Sequence, residues 1–436
     1  MYHPSMNRRT FVGRMAAAAA APFIRISPDS TPLKANGARV NGWLSQLDAI
    51  GRTTGGINRV AYSEADLAGR QFTLGLFREA GLNPRIDAAG NIVGRLEGRE
   101  PALPPILIGS HVDSVTDGGN FDGPVGSFGA IEVARSLREQ GVRLRHPLEV
   151  VVWQNEEGGT IGSKLAVGVL GESGLDAVAR SGRTLREGIG LVGGSVARLS
   201  EAVRARGSVH GYFELHIEQG GTLERSNLRI GTVTGIVGLR WLDVAIEGFA
   251  NHAGTTPMDQ RQDAMLAAAR FTVAVNDAIR AQPGQQVATV GRLVASPNTR
   301  NVIPGRVELT VDLRDLDVAT LDRFEARLRQ LASEIASASG TRFTVSKAVD
   351  SQPAMSDSRM MDWVDQTAAA LGLSSQRMRS GAGHDAQEVA HIAPMAMIFV
   401  PSVGGISHSP REFTKAEDVA NGVDVLLNAV IRADRG

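Results

Sequence analysis

The stretch of residues 106–153, ILIGSHVDSVTDGGNFDGPVGSFGAIEVARSLREQGVRLRHPLEVVVW, decides the fold class of this chain. Its two ends, ILIGS and LEVVVW, are short apolar runs rich in branched residues, a pattern that predicts buried strands. Between them, SFGAIEVARSLREQ has the apolar spacing of a helix, which is expected to stop at Gly141. A β-α-β order is typical of a sheet whose strands are joined by helical crossovers, so we predict an α/β fold.

The same architecture continues outward from this unit. FELHI (213–217) and MAMIFV (395–400) are short apolar runs that predict two further strands. Near the end of the chain, AEDVANGVDVLLNAVIRAD has the spacing of an amphipathic helix, with Thr414 as its expected N-cap.

The segment 236–348 has a different pattern. Its strands alternate between apolar and polar residues, as in WLDVAIEG and VELTVDLR, and its elements follow the order β-α-β-β-α-β. That order is typical of a split, ferredoxin-like unit. We therefore predict one discontinuous α/β domain, residues 36–235 and 349–436, with a small α+β domain of residues 236–348 inserted into it.

The composition excludes several classes of partner and site. Lys and Arg number 46 and Asp and Glu number 46, so the net charge is zero. A nucleic-acid or anionic-membrane partner would need a basic excess, so neither is expected. The chain has no cysteine, which excludes disulfides, thiolate-bound zinc, iron–sulfur clusters and thiol nucleophiles. Any metal must therefore be held by His, Asp and Glu.

Residues 1–35 are expected to be an export signal and linker. The motif NRRTFVG at 7–13 precedes a mild apolar run, MAAAAAAPFI, and a twin arginine in this position is typical of a Tat signal. The apolar run is too short to span a membrane, so no anchor is expected after the signal is removed. The motif predicts a periplasmic or secreted protein, with a cytoplasmic location as the alternative.

Histidines and carboxylates follow the predicted strands. Ligand sites in open α/β sheets lie beyond the carboxyl ends of the strands, so side chains from different loops meet there. No GxSxG or Walker A motif is present. The sequence predicts a metal site at this edge, and the candidate residues are His111, Asp113, Asp122, Glu156, Glu157, His216 and His408.

The spacing of these residues suggests separate tasks for them. Asp113 lies two residues after His111 and is expected to orient its imidazole by a hydrogen bond. Asp122 has two oxygens and can bridge two ions. Glu156 and Glu157 would point opposite ways in an extended chain, so one can bind metal while the other acts as a base. Imidazoles and carboxylates without sulfur suit a pair of Zn²⁺, Mn²⁺ or Co²⁺ ions, which activate a water and polarise a carbonyl.

Eight motifs in order extend this pattern from about residue 40 to 430. They are GSHVDSV, GGNFDG, NEEGG, ELHIEQGG, NHAGTTPM, NTRNVIPG, GAGHDA and GISHSPRE. With them the chain resembles the metal-dependent amidohydrolases of the M20 peptidase superfamily. Within that superfamily it resembles the hydantoinase/carbamoylase group, which includes N-carbamoyl-L-amino acid hydrolase, β-ureidopropionase and allantoate amidohydrolase. The His of LHIEQG favours this group over the peptidases, which typically place a carboxylate there.

The resemblance implies roles for individual residues. His111, Asp122 and His216 would hold one ion, and Asp122, Glu157 and His408 the other. Glu156 would be the general base and acid. The inserted domain would serve as a lid and as the contact of a homodimer. The other implied site residues are His252, as stabiliser of the oxyanion from its own chain or across the dimer, and Gln219, Asn301, Arg314 and His384 at the substrate.

The resemblance implies hydrolysis of N-carbamoyl-L-amino acids to amino acid, ammonia and CO₂. Allantoate, β-ureidopropionate or a dipeptide-like amide is the alternative substrate. A non-catalytic exported binding protein is disfavoured, because a binder has no need of Glu156. Two points stay open. Gly159-Thr160-Ile161 replaces the Arg-Phe-type stretch of many carbamoylases, and Arg314, expected to bind the substrate carboxylate, has Asp312 on the same strand face as an alternative partner.

Overall fold

The computed structural model describes residues 31–436, so the NRRTFVG motif lies outside the described residues. Within the described range, none of the helices is both long and apolar enough to cross a membrane. The strands are β1 (Arg85–Ile86), β2 (Ile92–Leu96), β3 (Ile106–His111), β4 (Leu148–Trp153), β5 (Gly211–Ile217), β6 (Ile230–Ile236), β7 (Gly238–Glu247), β8 (Val287–Ser296), β9 (Arg306–Asp315), β10 (Arg342–Ser351), β11 (Ala354–Met355), β12 (Ser375–Ser380) and β13 (Met395–Val400).

Eleven α-helices connect or cover these strands in the described part of the chain. They are α1 (Gly37–Leu47), α2 (Glu64–Glu79), α3 (Pro124–Glu139), α4 (Ile161–Ala166), α5 (Leu185–Leu191), α6 (Thr222–Arg225), α7 (Ala264–Arg280), α8 (Val318–Ser339), α9 (Ser358–Ala370), α10 (Asp385–Val389) and α11 (Ala416–Ala433).

A nine-stranded sheet forms the larger part of the molecule. Its strand order is β1-β2-β4-β3-β5-β13-β6-β11, with β12 also paired to β6. The central strands β4, β3, β5 and β13 are parallel to their neighbours in this group. The β-α-β unit of the sequence is thus β3-α3-β4, and the predicted α/β fold is confirmed. Because parallel strands end at the same edge, the loops after β3, β4, β5 and β13 emerge together.

Both faces of this sheet are covered, which explains why its strands are continuous apolar runs rather than alternating ones. Ile106 and Ile108 of β3 face the cluster formed with α1, α3 and α11, whereas Leu107 faces a second cluster on the opposite side. Strands β3, β4 and β13 have six residues each, and every one of these residues is buried. The sheet is therefore a rigid base for the loops at its carboxyl edge.

The predicted N-cap of the last helix is wrong. Helix α11 starts after Lys415, which makes no side-chain cap hydrogen bond. Thr414 is buried, and its hydroxyl donates to the carbonyl of Pro401 at 3.1 Å. The Thr414 hydroxyl therefore binds the loop after β13 instead of capping the helix, which is the role that the local pattern predicted.

A second, four-stranded sheet has the order β10-β7-β9-β8, and every pair in it is antiparallel. Along the chain its elements follow β7-α7-β8-β9-α8-β10. One face packs against α7 and α8, where Leu242, Val244 and Ile246 alternate with exposed positions such as Trp241. The opposite face of the sheet carries no helix from the described residues. This open face holds Arg314, which lies between Leu313 and Asp315 on β9.

Candidate metal centre

Three predicted ligands meet at the carboxyl edge of the large sheet. His111 ends β3, His216 lies one residue before the end of β5, and Asp122 lies just ahead of α3. His216 Nε2 is 3.1 Å from Asp122 Oδ1, and His111 Nε2 is 3.6 Å from the same oxygen. All three side chains are buried, and one ligand atom from each lies within 4.8 Å of the others. We call this set the first triad.

A second triad shares Asp122. His408 Nε2 lies 3.2 Å from Asp122 Oδ2 and 3.6 Å from Glu157 Oε1. The two oxygens of Asp122 therefore face different sets of ligands. This is the arrangement that a bridging carboxylate between two ions requires. The second triad is more open than the first, because half of the His408 side chain is exposed.

The donor set fits a pair of divalent cations. Nδ1 of His111 donates to the carbonyl of Asp113 at 3.1 Å, and Nδ1 of His216 donates to the carbonyl of Ile217 at 2.9 Å. With the proton on Nδ1, each Nε2 presents a lone pair, and both Nε2 atoms are buried without a hydrogen-bond partner. A lone pair that faces a carboxylate oxygen is repulsive unless a cation lies between them. Without a cation, the two Nε2 atoms lack a partner and the negative charge of Asp122 is not balanced. Metal ions bound between these groups would meet both needs.

The two glutamates add to this deficit. Glu156 Oε2 lies 3.6 Å from His111 Nε2, beside the first triad. Burial raises the pKa of Glu156 well above its ordinary value, and the neighbouring carboxylates of Asp385, Glu157 and Asp122 raise it further. Burial, with Asp122 as the next cause, raises the pKa of Glu157 to about 7. Several carboxylates crowded into a buried site need positive charge to stay ionised together.

Asp113 differs from its predicted role. Its main-chain carbonyl, rather than its carboxylate, accepts the hydrogen bond from His111. The carboxylate accepts from the backbone N–H groups of Glu156 and Glu157, both at 3.2 Å. The chain here is also not extended, since β4 ends at Trp153 and Asn155 has φ 52°. A turn held by Asp113, and not strand pleating, therefore directs Glu156 and Glu157 to different triads.

Two of the implied substrate residues lie beside the triads. The side-chain amide of Gln219 donates to Asp122 Oδ2 at 2.7 Å, while its Oε1 is buried without a partner. His384 is buried, its ring packs on that of His216 with centroids 4.5 Å apart, and its Nε2 lies 2.8 Å from the Ser380 hydroxyl.

The other three implied residues lie in the segment 236–348, outside both triads. His252 and Asn301 are exposed neighbours in two loops joined by a hydrogen bond from the Ala253 amide to the Asn301 carbonyl. Arg314 makes the alternative contact, a bidentate pair with Asp312 at 2.9 and 2.8 Å. Its remaining Nη1 donates to the carbonyl of Gly381 at 2.7 Å. No hydrogen bond or ion pair of the described residues links these three side chains to the candidate metal ligands.

Sequence reasoning missed Glu412, which holds both triads together. Its Oε1 accepts from the amides of Phe121 and Asp122, and its Oε2 accepts from the Ser407 hydroxyl and the His408 amide. The Ser407 hydroxyl also lies 3.0 Å from Asp122 Oδ2. The signal available in the sequence was a glutamate four residues after His408, inside the motif GISHSPRE.

Comparison with known proteins agrees with this geometry. The model of peptidase family M20/M25/M40 matches residues 107–432. The chain belongs to the M20 family. The N-carbamoyl-L-amino acid amidohydrolase of Geobacillus stearothermophilus is 39% identical to this M20 protein over 406 residues, which cover 92% of the chain and 99% of the relative.

Relatives with other names match nearly as well. A ureidoglycolate hydrolase of Arabidopsis thaliana is 36% identical over 383 residues (85% of this chain, 80% of the relative), and an allantoate amidohydrolase of Bacillus subtilis is 34% identical over 396 residues (89% and 95%). A crystal structure of a hydantoinase/carbamoylase-family amidase from Burkholderia multivorans superposes with a TM-score of 0.85 at 38% identity, covering 92% of this chain and 99% of that one. The predicted hydantoinase/carbamoylase resemblance and the predicted amidohydrolase activity on non-peptide carbon–nitrogen bonds are confirmed.

The role of Asp113 in this M20 enzyme can be tested by Asp113→Asn. In the wild type, each oxygen of the Asp113 carboxylate accepts from one backbone N–H group. The asparagine side chain has only one acceptor oxygen, so the Glu156–Glu157 turn should loosen. We expect activity or metal affinity to fall about 10–100-fold while the melting temperature shows a folded protein. Asp117→Asn, an exposed aspartate in the same loop, is the matched control and should retain activity. Wild-type metal affinity and rate in Asp113→Asn would show that the carboxylate does not hold the turn.

Proposed function

We propose that this chain is a dinuclear-metal hydrolase of ureido and amide bonds that converts N-carbamoyl-L-amino acids to amino acid, ammonia and CO₂. The observation that carries the proposal is the pair of triads that share the buried Asp122, with Glu156 beside the first of them. The high identity to proteins named N-carbamoyl-L-amino acid amidohydrolase supports this substrate class.

In this proposal the first triad, His111, Asp122 and His216, holds one ion, and Asp122, Glu157 and His408 hold the other. Zn²⁺ suits the set, as do Mn²⁺ and Co²⁺. When bound, such a pair supplies Lewis acidity to a water and to the scissile carbonyl. Asp113 and Glu412 keep the ligands in place through backbone N–H groups.

Glu156 moves the proton. Its carboxylate lies next to the first triad but is not needed to complete either one, so it is free to act as a base. It takes a proton from the attacking water and returns it to the leaving nitrogen of the carbamoyl group. A carboxylate beside the first triad suits both tasks, because it can accept a proton as a base and return it as a carboxylic acid.

The inserted segment, in this proposal, is a lid that supplies the substrate contacts. Arg314 is its carboxylate anchor, and the substrate's α-carboxylate would take the place of Asp312 on the guanidinium fork. Asn301 adds a donor to the same carboxylate. His252 stabilises the oxyanion: its Nδ1 accepts from the Gly254 amide, which leaves the proton on Nε2, facing away from its own loop.

A second substrate class has support from the relatives. Proteins named allantoate amidohydrolase and ureidoglycolate hydrolase match this chain over most of its length. Allantoate and ureidoglycolate, like N-carbamoyl amino acids, place a ureido group next to a carboxylate. The same triads, base and anchor would serve all three compounds, so the choice between them depends on the rest of the cleft.

The test of the proposed function is ammonia release from N-carbamoyl-L-amino acids, allantoate, ureidoglycolate and dipeptides, with elemental analysis of the same protein. We expect two divalent ions per chain, preference for N-carbamoyl-L-amino acids and loss of activity on chelation that metal addition restores. Full activity after complete metal removal would contradict the dinuclear mechanism. If allantoate is the only compound that the enzyme hydrolyses, the enzyme belongs to the second substrate class.

Glu156→Gln tests the base. The amide cannot accept a proton at neutral pH, so kcat should fall by about 10²–10⁴-fold. Because Glu156 completes neither triad, the variant should still bind two ions, whereas Glu157→Gln should lose one. Glu156→Gln with a kcat near that of the wild type would remove this residue from the mechanism.

We also propose that the protein is a homodimer through β8. This strand is an edge of the small sheet, and it exposes Val287, Leu293 and Val294 by 42–48%. The other edge, β10, carries more charge, since Arg342, Lys347 and Asp350 form ion pairs there, whereas the charged residue of β8 is Arg292. Charged side chains discourage pairing at an edge, so the more apolar β8 is the edge expected to pair with a second copy.

Light scattering should therefore give a mass twice that of one chain. Leu293→Lys places a charge on the β8 edge and should yield monomers at micromolar concentration. Val349→Lys, on the already charged β10 edge, is the matched control and should stay dimeric. A monomeric wild-type protein would contradict the proposed interface, as would a Leu293→Lys protein that stays dimeric.

A further inference from the structure

A cavity of about 830 Å³ opens beside the second triad. His408 and Gln219 line one side of it, and Arg377 and Arg379 of β12 line another. Gln219 also donates to the shared Asp122, so the cavity reaches the proposed reaction centre. A substrate whose ureido group lies at the triads would extend its other groups into this space.

The charged groups in the cavity wall differ in how they are compensated. Both carboxylate oxygens of Glu218 accept from backbone amides, those of Thr222 and Leu223. Arg377 is paired with two carboxylates, Asp362 at 2.5 Å and Asp365 at 2.8 Å. Neither residue therefore offers an unused charge to a ligand.

Arg379 is compensated less completely. Its guanidinium donates to the main-chain carbonyl of Gln285, and its only carboxylate neighbour among the described ion pairs, Asp315, lies 3.8 Å away. Its side chain is only 19% exposed. Burial lowers the pKa of Arg379, and Asp315 only partly opposes this effect. A largely buried guanidinium that lines a polar cavity, with its nearest carboxylate at 3.8 Å, favours an anionic ligand.

The remaining wall offers little to an apolar side chain. Apart from Met378, Ile406 and Ala382, its residues are polar, charged or glycine. An aliphatic or aromatic substrate side chain would therefore bury little apolar surface here. A polar, negatively charged side chain would instead gain a charge-assisted hydrogen bond.

We propose that Arg379 recognises a second carboxylate on the substrate, so that the enzyme prefers ureido acids of acidic amino acids. The inference deepens the proposed function and rests on it. The α-carboxylate would bind to the inserted segment, and the side-chain carboxylate to Arg379 across the cavity. Arg379 is thus a specificity residue and takes no part in the proton transfers.

The test compares matched substrates that differ only in charge. N-carbamoyl-L-glutamate and N-carbamoyl-L-glutamine have the same shape, as do the aspartate and asparagine pair. We expect the metal-loaded wild-type enzyme to favour the acid of one pair by at least about 10-fold in kcat/KM, mainly through KM. Arg379→Gln should bring that ratio close to one, and Arg379→Lys should retain part of it, since a lysine keeps the charge but not the fork.

Arg377→Gln is the matched control, because Arg377 lines the same cavity with its charge already neutralised, and it should keep the wild-type ratio. If the wild-type enzyme hydrolyses N-carbamoyl-L-glutamine and N-carbamoyl-L-asparagine at least as well as the matching acids, the role of Arg379 is overturned. The proposed function then stays intact. An equal loss of the ratio in Arg377→Gln and Arg379→Gln also overturns it. If the enzyme hydrolyses none of the N-carbamoyl amino acids, the proposed function itself is overturned.

Discussion

The shared carboxylate of Asp122 is the constraint on which the rest of the site depends. Its Oδ1 faces His111 and His216, its Oδ2 faces His408, and its side chain is almost completely buried. Two features make this position possible. Glu412 accepts from the Asp122 amide, and the next residue is Gly123 with φ 82°, where a Cβ would lie 2.4 Å from the His111 ring. Only a glycine lets the chain turn into α3 while the two side chains stay this close.

Backbone strain is concentrated around the same point. Asn155, Thr160, Gln219 and His408 are non-glycine residues with φ between 52° and 58°, and all four lie in the loops at the carboxyl edge of the sheet. For the β-branched Thr160 this conformation is unfavourable by about 1–3 kcal/mol. It is held by hydrogen bonds from its amide to the Glu156 carbonyl and from its hydroxyl to Glu388. The covered sheet below supplies the stability that keeps such turns in place.

The proposed site draws on both sheets. The proposed metal ligands, the base and Arg379 belong to the large sheet and the loops at its edge, whereas Arg314 and its neighbours lie on the small sheet. Two arginines connect these parts in opposite directions. Arg314 donates to the Gly381 carbonyl of the large part, and Arg379 donates to the Gln285 carbonyl of the small part. Each of these two contacts uses a main-chain carbonyl as the acceptor.

The sequence by itself determined the central strands of the large sheet, the element order of the segment 236–348 and the list of candidate ligands. Strand runs such as LEVVVW are decided by local pattern, and parallel strands must end at one edge, so the sequence predicts that His111, Glu157, His216 and His408 meet there. Only the tertiary structure decided how the supporting side chains are used. Thr414 donates to Pro401, the Asp113 carboxylate holds a turn instead of an imidazole, Glu412 joins two distant loops, and Arg314 pairs with Asp312. In each case the side chain had several partners within reach, and packing of loops far apart in sequence selected one. Such choices have no periodic signal, because they depend on distances that the chain sets only when it is folded.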